Sequence, residues 1–242
     1  MRLEHEHDPE AIARRLEGGP RVNYLRDWIY GGIDGAVTTF AIVAGVVGAD
    51  LSSGVAIVLG VANLLADGFS MAAANYSGTK AERDDYRRLR RMEERHIDTV
   101  PEGEREEVRQ IYSRKGYSAG DLSRIVSLIT SRRQVWLDTM LEEEHGVSPV
   151  LRHPVKAALA TFSAFVICGC VPLLPFAFGV VDTAMIATLL TGLVFLMIGA
   201  AKSVWSTQHW LTSAVETFVI GMTAAGIAWC VGFLLERFVN GG

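Results

Sequence analysis

The chain has 242 residues, half of them apolar, and a formal charge of −4. Acidic and basic residues nearly balance, so the sequence offers no basic surface of the kind that binds nucleic acid. The three cysteines, Cys168, Cys170 and Cys230, all sit in apolar stretches, which argues against a disulfide-stapled fold; they read as small apolar fillers.

The apolar residues gather into five blocks, Trp28–Gly48, Gly54–Tyr76, Ala157–Phe178, Asp182–Ala201 and Ser213–Leu235. Each holds about 20 residues, enough at roughly 1.5 Å per residue to cross a hydrocarbon core of about 30 Å. Thirty of the fifty Lys, Arg, Asp and Glu residues fall between Ser77 and Arg152, fifteen of each sign. A soluble bundle would mix apolar and charged residues along every helix, and the last three blocks hold almost no charge. The expected fold is an all-α integral membrane protein of five transmembrane helices. A cytoplasmic helical metal-binding insert lies between spans 2 and 3. The expected divisions are a tail at 1–27, spans 1–2 at 28–76, the insert at 77–152 and spans 3–5 at 153–242.

In chain order, Asp8-Pro9 reads as an N-cap followed by proline at the first helical position. Residues 9–17 then form a short amphipathic basic helix on the membrane surface, stopped by Gly18-Gly19-Pro20. His5 and His7 in the leading Glu-His-Glu-His offer imidazoles for a weak metal contact, but a tail without fixed structure is the simpler reading. The first span carries Asp34 and five glycines. Gly31 and Gly35 have the spacing that lets this helix approach another closely. The second span places Asn63, Asp67 and Met71 at i, i+4, i+8, along one face. It is expected to continue past Tyr76 to about His96. A new helix starts at Thr99-Val100-Pro101 and ends near Lys115-Gly116. Ser118-x-x-Asp121 resembles a capping box opening a helix to Thr130, and a last helix runs from Gln134 to His145 before Gly146. Pro172 and Pro175 should kink or end the third span.

Lys and Arg set the orientation. Five arginines precede the first span, the connection 49–53 has none, and the insert has fifteen basic residues. The N-terminus and the insert are therefore expected in the cytoplasm and the C-terminus outside. No cleavable leader precedes the first span and the termini are short, which points to a prokaryotic cell (inner) membrane.

Ionisable groups within spans are costly and so point to function. Asp34, Asn63, Asp67 and Met71 combine carboxylate, amide oxygen and thioether, a donor set suited to a borderline-soft divalent cation such as Fe²⁺. Glu216, just inside the fifth span, faces the same cavity or sits at the interface. In the insert, Glu82, Asp85, Glu93 and His96 share one broad side of the extended second helix, and Met140 and Glu144 lie one turn apart on the last. Together they offer oxygen, nitrogen and sulfur to a first-row metal. The competing reading is a solvated, salt-bridged surface, since Arg83, Arg87, Arg88, Arg90 and Arg91 intervene.

The run Asp34-Gly35-Ala36-Val37-Thr38-Thr39-Phe40-Ala41-Ile42-Val43-Ala44-Gly45 resembles the first-span signature of the vacuolar iron transporter family. Ser70-Met71 with Asn75-Tyr76, then Val100-Pro101-Glu102, Trp136-Leu137-Asp138-Thr139-Met140 and Pro172-Leu173-Leu174-Pro175, match in order. The resemblance implies a homodimer that moves Fe²⁺, and often Mn²⁺, out of the cytoplasm in exchange for protons, with no tightly bound cofactor. It also implies that Asp34 and Met71 belong to the transport path. Glu82, Asp85, Glu93, His96, Met140 and Glu144 fall at or close to the family's metal-binding positions. Plant relatives carry a glutamate where this chain has Asn63, and here an acid follows one turn later as Asp67. Leu89 and His96 replace two further acids of the plant insert.

Two other readings compete. Glu93-x-x-His96 and Glu142-x-x-His145, with Glu82 and Glu107, offer the ligand spacing of a di-iron ferroxidase. A metal sensor without transport leaves Asp34 and Asp67 unexplained. A non-enzymatic transporter is the expected function.

Overall fold

A computed structural model describes residues 6–17, 19, 22–204 and 207–240. Every regular element among them is helical. Helix α1 spans Pro9–Glu17, α2 Leu25–Gly48, α3 Ser53–Thr99, α4 Pro101–Arg114, α5 Ala119–Thr130 and α6 Arg133–Glu143. Then follow α7 at Pro154–Cys170, a 3₁₀ turn at Val171–Leu173, α8 at Leu174–Ala177, α9 at Thr183–Ser203 and α10 at Trp210–Asn240. Five stretches are long and apolar enough to cross a membrane: α2, α3, Pro154–Ala177, α9 and Trp210–Phe238. The chain divides into two compact units. One combines the described residues up to Val22 with Thr79–Arg152, the other Asn23–Gly78 with residues from His153 onward.

Local chemistry sets most boundaries. The Asp8 carboxylate accepts the Ala11 N–H at 2.9 Å, capping α1 ahead of Pro9. His5, Gly18 and Pro20 lie outside the described residues. Helix α3 is one 47-residue element, three residues longer than the sequence suggests at its far end. Pro101 opens α4, and Gly116, at φ 91°, closes the turn beyond it. The expected capping box at Ser118 is not formed. Its hydroxyl bonds the Asp121 carboxylate at 2.6 Å, and no side chain caps the backbone there. Pro172, unable to donate a helical hydrogen bond, falls in the 3₁₀ turn that ends α7.

In the span unit, α2 is packed on by α7, α9 and α10. The contact with α7 is made backbone to backbone. A Cβ on Gly31 would lie 2.2 Å from the Thr161 carbonyl oxygen, and one on Gly35 would lie 2.3 Å from that of Phe165. Toward α10, a Cβ on Gly232 would meet the Gly45 carbonyl oxygen at 2.4 Å. The glycine face of the first span is thus occupied by other helices of the same chain. It supplies no argument for pairing two chains, because its close approach is already filled. Phe40, Val43, Leu64 and Phe165 fill one core of this unit, and Ile29, Val194, Phe195 and Ile198 another.

The second unit has its own core of Tyr86, Leu89, Ile97, Val108, Val126, Trp136, Leu137, Met140 and Leu141, drawn from α3 to α6. Apolar positions thus recur on the inner face of each helix, while the charged residues largely face outward in i,i+3 and i,i+4 pairs.

Gly35→Leu should therefore destabilise the single chain, by at least the ~1–3 kcal/mol typical of overpacking, since backbone rather than a flexible side chain blocks the way. Gly78→Ala meets nothing within 4 Å and should be neutral or stabilising by up to about 1 kcal/mol through helix propensity. Thermal unfolding in detergent measures both, and a wild-type midpoint for Gly35→Leu would contradict the packing.

Candidate metal centre

The insert brings five ligand-type side chains to one place from three elements. Glu93 and His96 stand one turn apart near the end of α3. Glu104 lies in the first turn of α4, where Pro101 fixes the helix start. Glu144 and His145 follow the end of α6. There Gly146, in the left-handed conformation at φ 66°, turns the chain back so that the Val147 N–H bonds the Leu141 carbonyl at 3.0 Å.

Glu93 is the centre of the group. Its Oε1 lies 2.9 Å from His145 Nε2 and 3.9 Å from His96 Nδ1. His96 Nδ1 lies 3.4 Å from Glu104 Oε1, and His145 Nε2 lies 3.7 Å from Glu144 Oε2. Two triads result, Glu93–His96–Glu104 and Glu93–Glu144–His145, each with its ligand atoms within 4.8 Å of one another. They share Glu93. Donors at this separation can close on one cation by small rotamer changes, and the mix of carboxylate and imidazole suits a first-row divalent ion.

Glu93 and Glu104 are only 1% and 2% exposed. The Oε2 atom of each is buried without a hydrogen-bond partner. Two buried carboxylates side by side are expensive to ionise, and no Lys or Arg among the described residues pairs with either. The consequence shows at Glu104, whose pKa is pushed up to about 8 by burial first, then by the charges of Glu107, Glu93 and Glu144 and a hydrogen bond with Glu93. Burial and the charge of Glu93 also raise Glu144, against the lowering effect of His145. The cluster holds more negative charge than its surroundings neutralise. A proton or a metal cation supplies the balance.

The residues singled out from sequence divide accordingly. Glu93, His96 and Glu144 come together; Glu82 and Asp85 do not join them. Glu82 pairs with Arg152 at 3.2 Å and Asp85 with Arg88 at 2.8 Å, both on exposed surface. Met140 is wholly buried in the apolar core of the insert, one turn before Glu144. Glu104 escaped the sequence reading, masked by the acidic run Glu102 to Glu107. The signal available was its place in the first turn of a helix opened by Pro101. Glu142 and His145 do not share a helix, because α6 ends at Glu143, and Glu142 is exposed. The four-helix di-iron ligand set is therefore not assembled.

In the span unit, Asn63, Asp67 and Met71 form one half-buried stripe on α3. Asn63 Nδ2 donates to Thr38 Oγ1 at 3.2 Å, and Thr38 donates to the Asp34 carbonyl at 2.8 Å, which holds the stripe against α2 beside Asp34. Asp67 follows Asn63 by one turn and Asp34 precedes Thr38 by one turn, on helices joined by that contact. Met71 packs at the edge of the span core. One turn further along α3, Asn75 donates to Asp27 Oδ1 at 2.9 Å and to Thr161 Oγ1 at 2.7 Å, tying α2, α3 and α7 together. Asp27 is buried and lies two turns before Asp34 on α2. The sequence hides it because it falls one residue before the first apolar block. Glu216 is exposed and stands 3.7 Å from Lys202, an ion pair separate from the Asp34 and Asp67 group.

The fold and these sites define a helical membrane protein with candidate metal ligands both within its spans and in the unit inserted between them. The family model described as "VIT family" matches residues 25–233, and the chain belongs to that family. It is 34% identical to the vacuolar iron transporter of Toxoplasma gondii over 95% of this chain and 82% of that protein. It is 32% identical to vacuolar iron transporter 1 of Arabidopsis thaliana over 88% and 86% of the two chains. With the corresponding protein of Plasmodium falciparum the identity is 28% over 89% and 84%.

The pKa of Glu104 gives a pH prediction with a definite sign. Between its ordinary 4.5 and about 8, the folded protein holds a proton that the unfolded chain releases. The contribution of Glu104 to stability is therefore fully present below about pH 4.5 and is lost as pH rises through about 8. Glu104→Gln should flatten this decline and raise stability at pH 9 in metal-free buffer. Denaturant unfolding of the intact protein at pH 6 and pH 9 tests it, and an unchanged slope would refute the assignment.

Proposed function

We propose that the protein exports Fe²⁺ from the cytoplasm, with Mn²⁺ as a second cargo, in exchange for protons. The observation that carries this reading is the pair of buried carboxylates, Glu93 and Glu104. Each has an oxygen without a partner, and both lie beside His96, His145 and Glu144. Such a group needs a cation, and its donors are those that a borderline-soft divalent ion prefers. The relatives, named as vacuolar iron transporters, support iron as that cation.

In this account the insert faces the cytoplasm, in keeping with its basic residues and those before the first span. It collects the ion by exchanging the proton on Glu104 for metal. The ion then passes Met71, Asp67 and Asn63 and leaves as Asp34 and Asp67 take up protons from the far side. Buried carboxylates exchange a divalent cation for protons because either partner removes the uncompensated charge. The C-terminus lies outside, and two copies act as a dimer, as the family resemblance implies. The reading is of a carrier, with metal as cargo and no chemical conversion of it.

The test separates path from collector. Asp34→Asn or Asp67→Asn should abolish Fe²⁺ uptake into proteoliposomes and the accompanying change in internal pH, while the metal affinity of the insert in the intact protein is unchanged. Asparagine keeps an oxygen ligand but loses the charge and the titratable proton. Joint replacement of Glu93, His96 and Glu144 by Ala should instead lower uptake at limiting metal and recover in part at high metal. Complete and equal loss from both sets at saturating metal would overturn this division. Metal uptake without any pH change would overturn the exchange.

A further inference from the structure

A groove of about 450 Å³ in the span unit carries features that metal transport does not use. It lies between the start of α2 and the end of α9, lined by Asn23, Arg26, Ile29, Tyr30, Ile33 and Lys202. Its floor is apolar and runs from Arg26 to Ile33, about 10 Å along the helix at 1.5 Å per residue. Its mouth is cationic.

Arg26 stacks over the Tyr30 ring at 5.3 Å and has no carboxylate partner among the described residues. The neighbouring Asp27 turns the other way, to Asn75. Lys202, in the last turn of α9, stands across the groove, with Glu216 at 3.7 Å. Among the described residues, two cations and one nearby carboxylate leave one net positive charge at the mouth. Tyr30 is 54% exposed beside them, an aromatic of the type enriched at membrane interfaces.

We propose that this groove binds one anionic phospholipid. The phosphodiester sits between Arg26 and Lys202, and the upper part of an acyl chain lies along Ile29 and Ile33. One phosphodiester carries one negative charge, which matches the net charge of the mouth. The apolar floor lies on helices long and apolar enough to cross a membrane. Basic pockets between membrane helices commonly hold such headgroups. The bound lipid bridges α2, the helix bearing Asp34, to α9.

Native mass spectrometry of the intact protein, with dioleoyl phosphatidylglycerol and dioleoyl phosphatidylcholine titrated in turn, tests the proposal. One molecule of the glycerol lipid should stay bound at a collision energy that strips the choline lipid, and the glycerol lipid should raise the thermal midpoint more. Arg26→Gln and Lys202→Gln should each weaken retention roughly fivefold, the worth of one cation near a lipid headgroup. Arg26→Lys should retain most of the binding. Arg237→Gln, near the other end of α10, should leave binding unchanged and so control for loss of any charge. Equal retention of the two lipids, undiminished selectivity in the double Gln variant, or equal stabilisation by inorganic phosphate alone would overturn the proposal.

Discussion

Removing a carboxylate from water without fixing a cation beside it is the constraint on which this structure turns. Fifteen basic residues lie in the insert, yet the ones that pair do so with other acids. Arg88 pairs with Asp85, Arg90 with Glu94, Arg133 with Asp98, Lys115 with Glu143 and Arg152 with Glu82. Glu93 and Glu104 are left buried with imidazoles for neighbours. A structural ion pair would have placed an arginine there, and an apolar pair would have packed at least as well. A cluster deficient in positive charge, inside a unit whose acids and bases otherwise balance, is the observation on which the proposed cation site rests.

The rest of the insert supports that arrangement. Its apolar core fixes α3, α4 and α6 so that the junction of α3 and α4 and the distant end of α6 present their donors within a few ångströms. Met140 is buried there, one turn before Glu144, and the left-handed Gly146 turns the chain so that His145 reaches Glu93. In the span unit the same economy applies. Glycines on α2 let α7 and α10 approach at backbone distance, and the Thr38–Asn63 contact then sets the polar stripe of α3 against Asp34. Packing precision on one face of α2 and polar placement on another depend on each other.

Much of this was legible in the sequence. The five apolar blocks announce the membrane-length helices because hydropathy over about 20 residues is a strong signal. The i, i+4, i+8 stripe of Asn63, Asp67 and Met71, and the i, i+3 pair Glu93 and His96, follow from helix periodicity alone. Periodicity fails where height along the helix and tertiary register decide. Glu82 and Glu93 share a side of α3, but eleven residues separate them by about 16 Å, too far for a single ion. Glu104 sits among acids of the same type, and only the packing of α4 on α3 selects it. The glycine face of the first span has the right spacing for close approach, but spacing carries no information on whether the partner helix belongs to the same chain.

The central claim is that the buried cluster trades a proton for a divalent cation. Counting protons released when Fe²⁺ is added anaerobically to the intact protein in weakly buffered solution tests it most directly. Release of about one proton per bound ion is expected near pH 7, falling toward zero near pH 9, where Glu104 is already ionised, and lost in Glu104→Gln. Tight binding with the same proton release at both pH values, or no binding that depends on Glu93 and Glu104, would contradict it.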